Sequence, residues 1–209
     1  KIAPRINAAG RIKHGNYAVR LLTEFNLEEA IECAKEIDEF NMNRRILDQQ
    51  ITEEALQQII ENNEEHASSS VVYHESWHKG VIGIVASRLI ETYYRPTLVF
   101  TKSGDYLAAS ARSVKGFDVY QALEKCSEYI IQFGGHMYAA GLTIKDSEYE
   151  NFKAKFEEVV KSRMASQEIL ALMFSLQDIK SDSRNNYDKL IDSLKEKTDL
   201  RVKKVLNRE

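Results

Sequence analysis

Val71-Val72-Tyr73, the loop His74-Glu75-Ser76-Trp77-His78-Lys79-Gly80, an apolar run from Val81 to Tyr94, and Thr97-Leu98-Val99-Phe100-Thr101 follow one another without interruption. The hydrophobic period changes from two to about 3.6 and back across this stretch, which predicts a strand, a helix and a second strand. Arg95-Pro96 stops the helix, because a residue before proline is driven out of the α region. Ser103-Gly104-Asp105 turns the chain into a further strand, Tyr106 to Ser113, and Asp118 then caps a helix at about Asp118–Ile130. A glycine turn precedes the strand Leu142–Lys145, and Asp146 opens an amphipathic helix carrying Tyr149, Phe152, Phe156, Val159 and Val160. The order β-α-β-β-α-β-α predicts an α/β layered domain.

Toward the N-terminus, Leu27 to about Asn62 is free of Gly and Pro. Leu27, Ile31, Ala34 and Ile37 form an apolar stripe that Leu47, Ile51, Ala55 and Ile59 resume. Roughly 35 residues give a rod of about 50 Å, long for a helix buried in one small domain. Asn41, Arg44 and Arg45 interrupt the stripe, which favours an interdomain connector over a coiled coil, with Asn26 as N-cap and Ser68-Ser69-Ser70 in a closing linker. Tyr17 to Phe25 reads as a short helix ahead of it. Beyond Met164 the periodicity fades; Ile169–Leu176 suggests a strand and Tyr187–Leu194 a helix.

The 209 residues are 43% hydrophobic and 29% charged, ordinary for a soluble globular protein, and can hold one good-sized domain or one plus fragments. A net charge of −3 argues against non-specific coating of duplex DNA but leaves room for a local cationic cleft. Cys33 and Cys126 fit no metal or redox spacing and read as reduced core thiols of a cytoplasmic protein. No apolar run approaches a membrane span and no signal peptide is visible. The chain opens at Lys1, directly on a dense motif, and is expected to be part of a larger protein.

Seven of the nine glycines fall between Gly80 and Gly141, so special backbone geometry is concentrated in the middle domain. In Phe133-Gly134-Gly135-His136-Met137-Tyr138-Ala139-Ala140-Gly141, two glycines, a histidine and then small residues leave the backbone open to a phosphate, or else form a tight turn with a core histidine. Trp77-His78-Lys79-Gly80-Val81-Ile82-Gly83 sits where a helix begins. It suits either an anion site with a stacking tryptophan or close packing of helix on sheet around a core tryptophan. Ser110-Ala111-Arg112-Ser113 ends a strand, where hydroxyls flanking a guanidinium suit a phosphate; the alternative is a polar edge facing water. In Ala3-Pro4-Arg5-Ile6-Asn7-Ala8-Ala9-Gly10-Arg11 the two arginines could fork onto phosphates or belong to a frayed terminus. The five histidines form no Asp-His-His cluster of the kind a two-metal phosphodiesterase needs, and there is no P-loop, dinucleotide fingerprint or nucleophile elbow.

Taken together and in this order, Ala3–Arg11, Trp77–Leu89, Ser110–Ser113 and Gly134–Gly141 resemble the bacterial RecJ family of single-strand-specific exonucleases, in the DHH phosphoesterase superfamily. The likeness covers about Lys1 to Met164. It implies a mixed β-sheet flanked by helices, the DHH-associated C-terminal domain, behind a long connecting helix. Residues 1–26 would end the catalytic domain, 27–67 form the connector, 68–164 the substrate-binding domain, and 165–209 begin a further subdomain. The implied activity is metal-dependent 5′→3′ hydrolysis of single-stranded DNA in recombination and repair. Manganese or magnesium would be held by Asp and His residues that this chain lacks, so the fragment alone is expected to be inactive. The resemblance assigns Arg5, Asn7 and Arg11 to nucleic-acid phosphates, Ser110, Arg112 and Ser113 to the 5′-terminal phosphate or first phosphodiester, and Gly134, Gly135 and His136 to the substrate beside the metals. Trp77, His78 and Lys79 are further candidates. Single-stranded DNA, a repair helicase and a single-strand-binding protein are the expected partners of a monomer. A nano-RNase or cyclic-dinucleotide phosphodiesterase of the same superfamily, or a binding module like the domain appended to alanyl-tRNA synthetase, are the alternatives.

Overall fold

The structure, a computed structural model, describes residues 2–164. The chain divides into two units, Lys1–Ser162 and Arg163–Glu209, and the first carries all that follows. The strand and helix expected at Ile169–Leu176 and Tyr187–Leu194 lie outside the described residues.

Two short helices, α1 (Ala3–Ile12) and α2 (Asn16–Thr23), lead into α3 (Leu27–Glu61). The strands and helices of the sheet domain then run β1 (Ser70–Tyr73), α4 (Ile82–Thr92), β2 (Thr97–Ser103), β3 (Tyr106–Arg112), α5 (Val119–Glu124), β4 (Ile130–His136) and β5 (Ala139–Lys145). A last helix, α6, covers 149–164. The five strands lie in the order β1-β2-β3-β5-β4. β1 and β2 are parallel, joined by the α4 crossover, and the other pairs are antiparallel. The expected mixed sheet with flanking helices behind a long helix is present.

Capping side chains fix several starts. Asn26 accepts from the Glu28 and Glu29 N–H groups at the head of α3, and Asp118 accepts from Gln121 N–H at the head of α5. Both satisfy donors that a helix start would otherwise leave open. One face of the sheet, through Val72 and Val99, packs on Val85, Ala86 and Leu89 of α4 and on Ile51, Ala55 and Ile59 of α3. The other face receives α6, where Phe152 lies edge-on to Phe100 at 5.6 Å between ring centres. The first half of α3 is covered by α1 and α2 through Ala9, Ala18 and Ile37.

Three expectations need correction. The helix expected to reach Ile130 ends at Glu124; a 3-10 turn at Ser127–Tyr129 follows, and Ile130 already starts a strand. Two consecutive β-branched residues, Ile130-Ile131, favour a pleated surface over a helix. The glycine turn is therefore a β-hairpin, with His136 paired to Ala139 across Met137-Tyr138. On α3, Leu27 and Ile31 of the expected stripe are exposed while Ile37 is buried, with Cys33 beside it, so the stripe is covered only after its first turns.

Candidate nucleic-acid interface

The site is assembled at the C-terminal end of β3. Ser110 and Arg112 are two apart and so share a face of the sheet. Arg112 Nη1 donates to Ser110 Oγ at 3.0 Å and to the Ala111 carbonyl at 2.7 Å, which holds the guanidinium down along its own strand. The first turn of α4 sits directly over the pair: a Cβ built on Gly83 would lie 2.8 Å from Arg112 Nη2 and 2.9 Å from Ser110 Oγ. The end of α1 closes the other side. Arg11 Nη1 donates to the Gly80 carbonyl at 3.3 Å, and a Cβ on Gly80 would meet the Arg11 carbonyl oxygen at 2.0 Å. Both glycines thus allow close approach, Gly80 to a backbone and Gly83 to the two polar side chains.

Burial pulls the Arg112 guanidinium down from its usual value, and the like charge of Arg11 pulls in the same direction. No ion pair joins either arginine among the described residues. Two guanidinium groups without a carboxylate, one of them half-buried, form a concentrated positive field that an anion would relieve.

The hairpin extends this surface sideways. Arg112 pairs in register with Ala139 and Ala139 with His136, while Ser110 pairs with Gly141 and Gly141 with Gly134. At the usual strand spacing, Arg112 and His136 are about 10 Å apart on the same face. His136 is exposed, and its Nδ1 accepts from Tyr138 N–H at 3.3 Å. Gly135 has φ +151, and a Cβ there would lie 2.3 Å from the Ala139 carbonyl oxygen. A concavity of about 410 Å³ lies along this face, lined by Lys79, Ala108, Gln132, Gly134, Gly141 and Thr143.

The remaining residues singled out in the sequence fall elsewhere. Trp77 is buried, and its Nε1–H donates to Glu54 Oε2 at 2.7 Å, so it is a core anchor and offers no stacking face. His78 Nδ1 accepts from Gly80 N–H at 3.1 Å, which shapes the turn into α4, and Lys79 Nζ donates to Ser103 Oγ at 3.0 Å. The Ser113 hydroxyl donates to the Phe117 carbonyl at 2.8 Å and so is engaged within its own loop. Asn7 is exposed on α1. Arg5 pairs with Asp38 of α3 and borders a separate groove of about 720 Å³ that also holds Arg44, Arg45 and Arg88. The arginines of α1 are thereby divided between two places, as six residues, about 600° of helical turn, require.

Sequence reading missed Asp48 and Arg88. Asp48 is buried in α3, and Arg88 of α4 grips it with Nε–Oδ1 at 2.7 Å and Nη2–Oδ2 at 2.8 Å. Hydrogen bonding to Asp48 pushes the Arg88 guanidinium above its usual value. The available signal was an acid flanked by Leu47 and Ile51 on the apolar stripe, which demands a buried cationic partner.

The DHHA1 domain family matches residues 63–162. The single-stranded-DNA-specific exonuclease RecJ of Bacillus subtilis is 34% identical over 172 residues, covering 81% of this chain and 22% of the relative. That of Salmonella typhimurium is 38% identical over 167 residues, covering 76% of this chain and 29% of the relative. The crystal structure of Thermus thermophilus RecJ in complex with Mg2+ superposes with a TM-score of 0.71 at 31% identity, over 77% of this chain and 25% of that one. The chain belongs to the RecJ family. A second family, the DNA-binding TraM protein, matches residues 131–209, most of them outside the described residues.

This RecJ-type chain thus spans between a fifth and a third of the length of the curated relatives it matches. The Thermus RecJ structures include one with Mg2+ and one with Mn2+. Among the described residues of this chain, no group of three or more His, Cys, Asp or Glu is arranged to hold a metal ion. What the described residues bring together here is a set of cationic and hydroxyl donors suited to an anion.

Proposed function

We propose that this chain is the substrate-gripping part of a metal-dependent 5′→3′ exonuclease acting on single-stranded DNA. The carrying observation is the uncompensated pair Arg11 and Arg112 beside Ser110, closed in by Gly80 and Gly83. In this reading Arg112 and Ser110 take the 5′-terminal phosphate or the first phosphodiester. Arg11 adds charge from α1, and Gly134, Gly135 and His136 lie against the next part of the strand. Arg5 and Asn7 meet the backbone further along α1. Such an arrangement aligns a phosphate and stabilises charge that develops on it, which is positioning and electrostatics rather than proton chemistry. Manganese or magnesium serves the whole protein through residues outside this chain, a reading supported by the metal-bound relatives.

Anisotropy binding of the chain to short fluorescent single strands, with 5′-phosphate or 5′-hydroxyl ends and a duplex control, tests the proposal. Tighter binding of the phosphorylated single strand is expected. Preference for duplex would overturn it.

A further inference from the structure

We infer that Gly83 is a positioning residue for phosphate capture: the missing side chain leaves the space in which the Arg112 guanidinium lies against Ser110. This rests on the reading of Arg112 and Ser110 as the phosphate site. Gly83 is the second residue of α4, where a glycine is unfavourable relative to alanine. Local helix stability therefore favours replacing it. What a Cβ would meet there is neither backbone nor core. The near atoms are Arg112 Nη2 at 2.8 Å and Ser110 Oγ at 2.9 Å, with Arg112 Cζ at 3.5 Å. The guanidinium is the free end of a flexible side chain and can swing away at little cost to the fold. It would then leave Ser110 Oγ and the Ala111 carbonyl, the bonds that hold it along its own strand.

Gly80, three residues earlier, behaves differently. A Cβ there would meet the Arg11 carbonyl oxygen at 2.0 Å and its carbonyl carbon at 2.9 Å, and backbone cannot swing aside. Gly80 seats α1 on the sheet domain; Gly83 sets the aim of one guanidinium. Only the second can be lost with the fold intact.

The test is Gly83→Ala in the 209-residue chain. It is read by thermal unfolding and by anisotropy with fluorescent oligodeoxythymidylates carrying a 5′-phosphate or a 5′-hydroxyl. The expected result is an unfolding midpoint unchanged or raised by roughly 2–4 °C. Affinity for the phosphorylated strand falls by about 10-fold, the scale of one charge-assisted hydrogen bond. Arg112→Ala is run in parallel, together with the double variant. If Gly83 acts only through Arg112, the double variant binds no more weakly than Arg112→Ala alone. Full affinity in Gly83→Ala alongside a loss in Arg112→Ala overturns the positioning role and leaves the phosphate site standing. Full affinity in both, or no phosphate preference in the unsubstituted chain, overturns the site and the inference with it. Should Gly83→Ala unfold the chain, the double variant decides: regained folding identifies Arg112 as the obstructed group, and continued unfolding overturns the assignment.

Discussion

Two arginines flank α4 in opposite circumstances. Arg88, on the helix itself, closes two hydrogen bonds on the buried carboxylate of Asp48, whose Oδ2 also accepts from Arg44 at 3.4 Å. Arg112, under the first turn, has a serine, a carbonyl and another arginine for neighbours. Bonding to Asp48 raises the affinity of Arg88 for its proton, while burial and Arg11 lower that of Arg112. In the first arrangement both guanidinium groups have a carboxylate for a partner, and the cluster ties α3 to α4. The second is incomplete, and an anion from outside would complete it. A guanidinium on this fold is read by its neighbours, not by its residue type.

Removing the acid from the Asp48 cluster should have the largest effect. Asp48→Ala leaves the Arg44 and Arg88 charges in the groove they line with no carboxylate between them. Breaking a buried pair costs about 3–5 kcal/mol. Arg88 is 47% exposed and can turn to water, so about 2–3 kcal/mol is expected here. Urea denaturation should show a lower midpoint with an unchanged slope. A loss below about 0.5 kcal/mol would mean that the cluster is no fastening at all, and the contrast with Arg112 would collapse.

Arg112→Ala sharpens the comparison from the other side. Deleting a desolvated charge beside Arg11 should leave stability within about 0.5 kcal/mol of the unsubstituted chain, or raise it. Binding of phosphorylated single strands should weaken by about 10-fold, and the slope of log affinity against log salt should fall by nearly one. Equal losses on phosphorylated and hydroxyl ends would count against capture of the end phosphate.

The sequence carried most of the fold because its signals were local. Asn26, Asp118 and Pro96 marked ends, and period changes separated α4 from β1 and β2. The hairpin was hidden because Ile130-Ile131 follow directly on a helical pattern, so the boundary rested on propensity alone. Site residues were legible one by one in their motifs, but their partition was not. That Arg11 joins Arg112 while Arg5 pairs with Asp38 depends on how α1 lies against α3 and Gly80, a long-range fact. The pairing of Asp48 with Arg88 spans 40 residues and has no local trace beyond an acid on an apolar stripe.

The smallest expected effect belongs to another carboxylate of α3. Glu54 is exposed and receives hydrogen bonds from Gln50 and from the indole of buried Trp77. These bonds hold its carboxyl below the usual 4.5, the Gln50 contact most and Trp77 next. A lowered pKa in the folded chain means stability that is present above about 4.5 and drains away as pH falls through the folded value. Trp77→Phe keeps most of the ring in the core and deletes the N–H. It should cost about 1 kcal/mol at neutral pH, and part of that difference should vanish as Glu54 protonates. Thermal midpoints of both proteins at neutral pH and near pH 3 make the check. A gap that stays constant would place the cost in packing alone. A gap as large as that of Asp48→Ala would show that burial of the acid is not what separates the two sites.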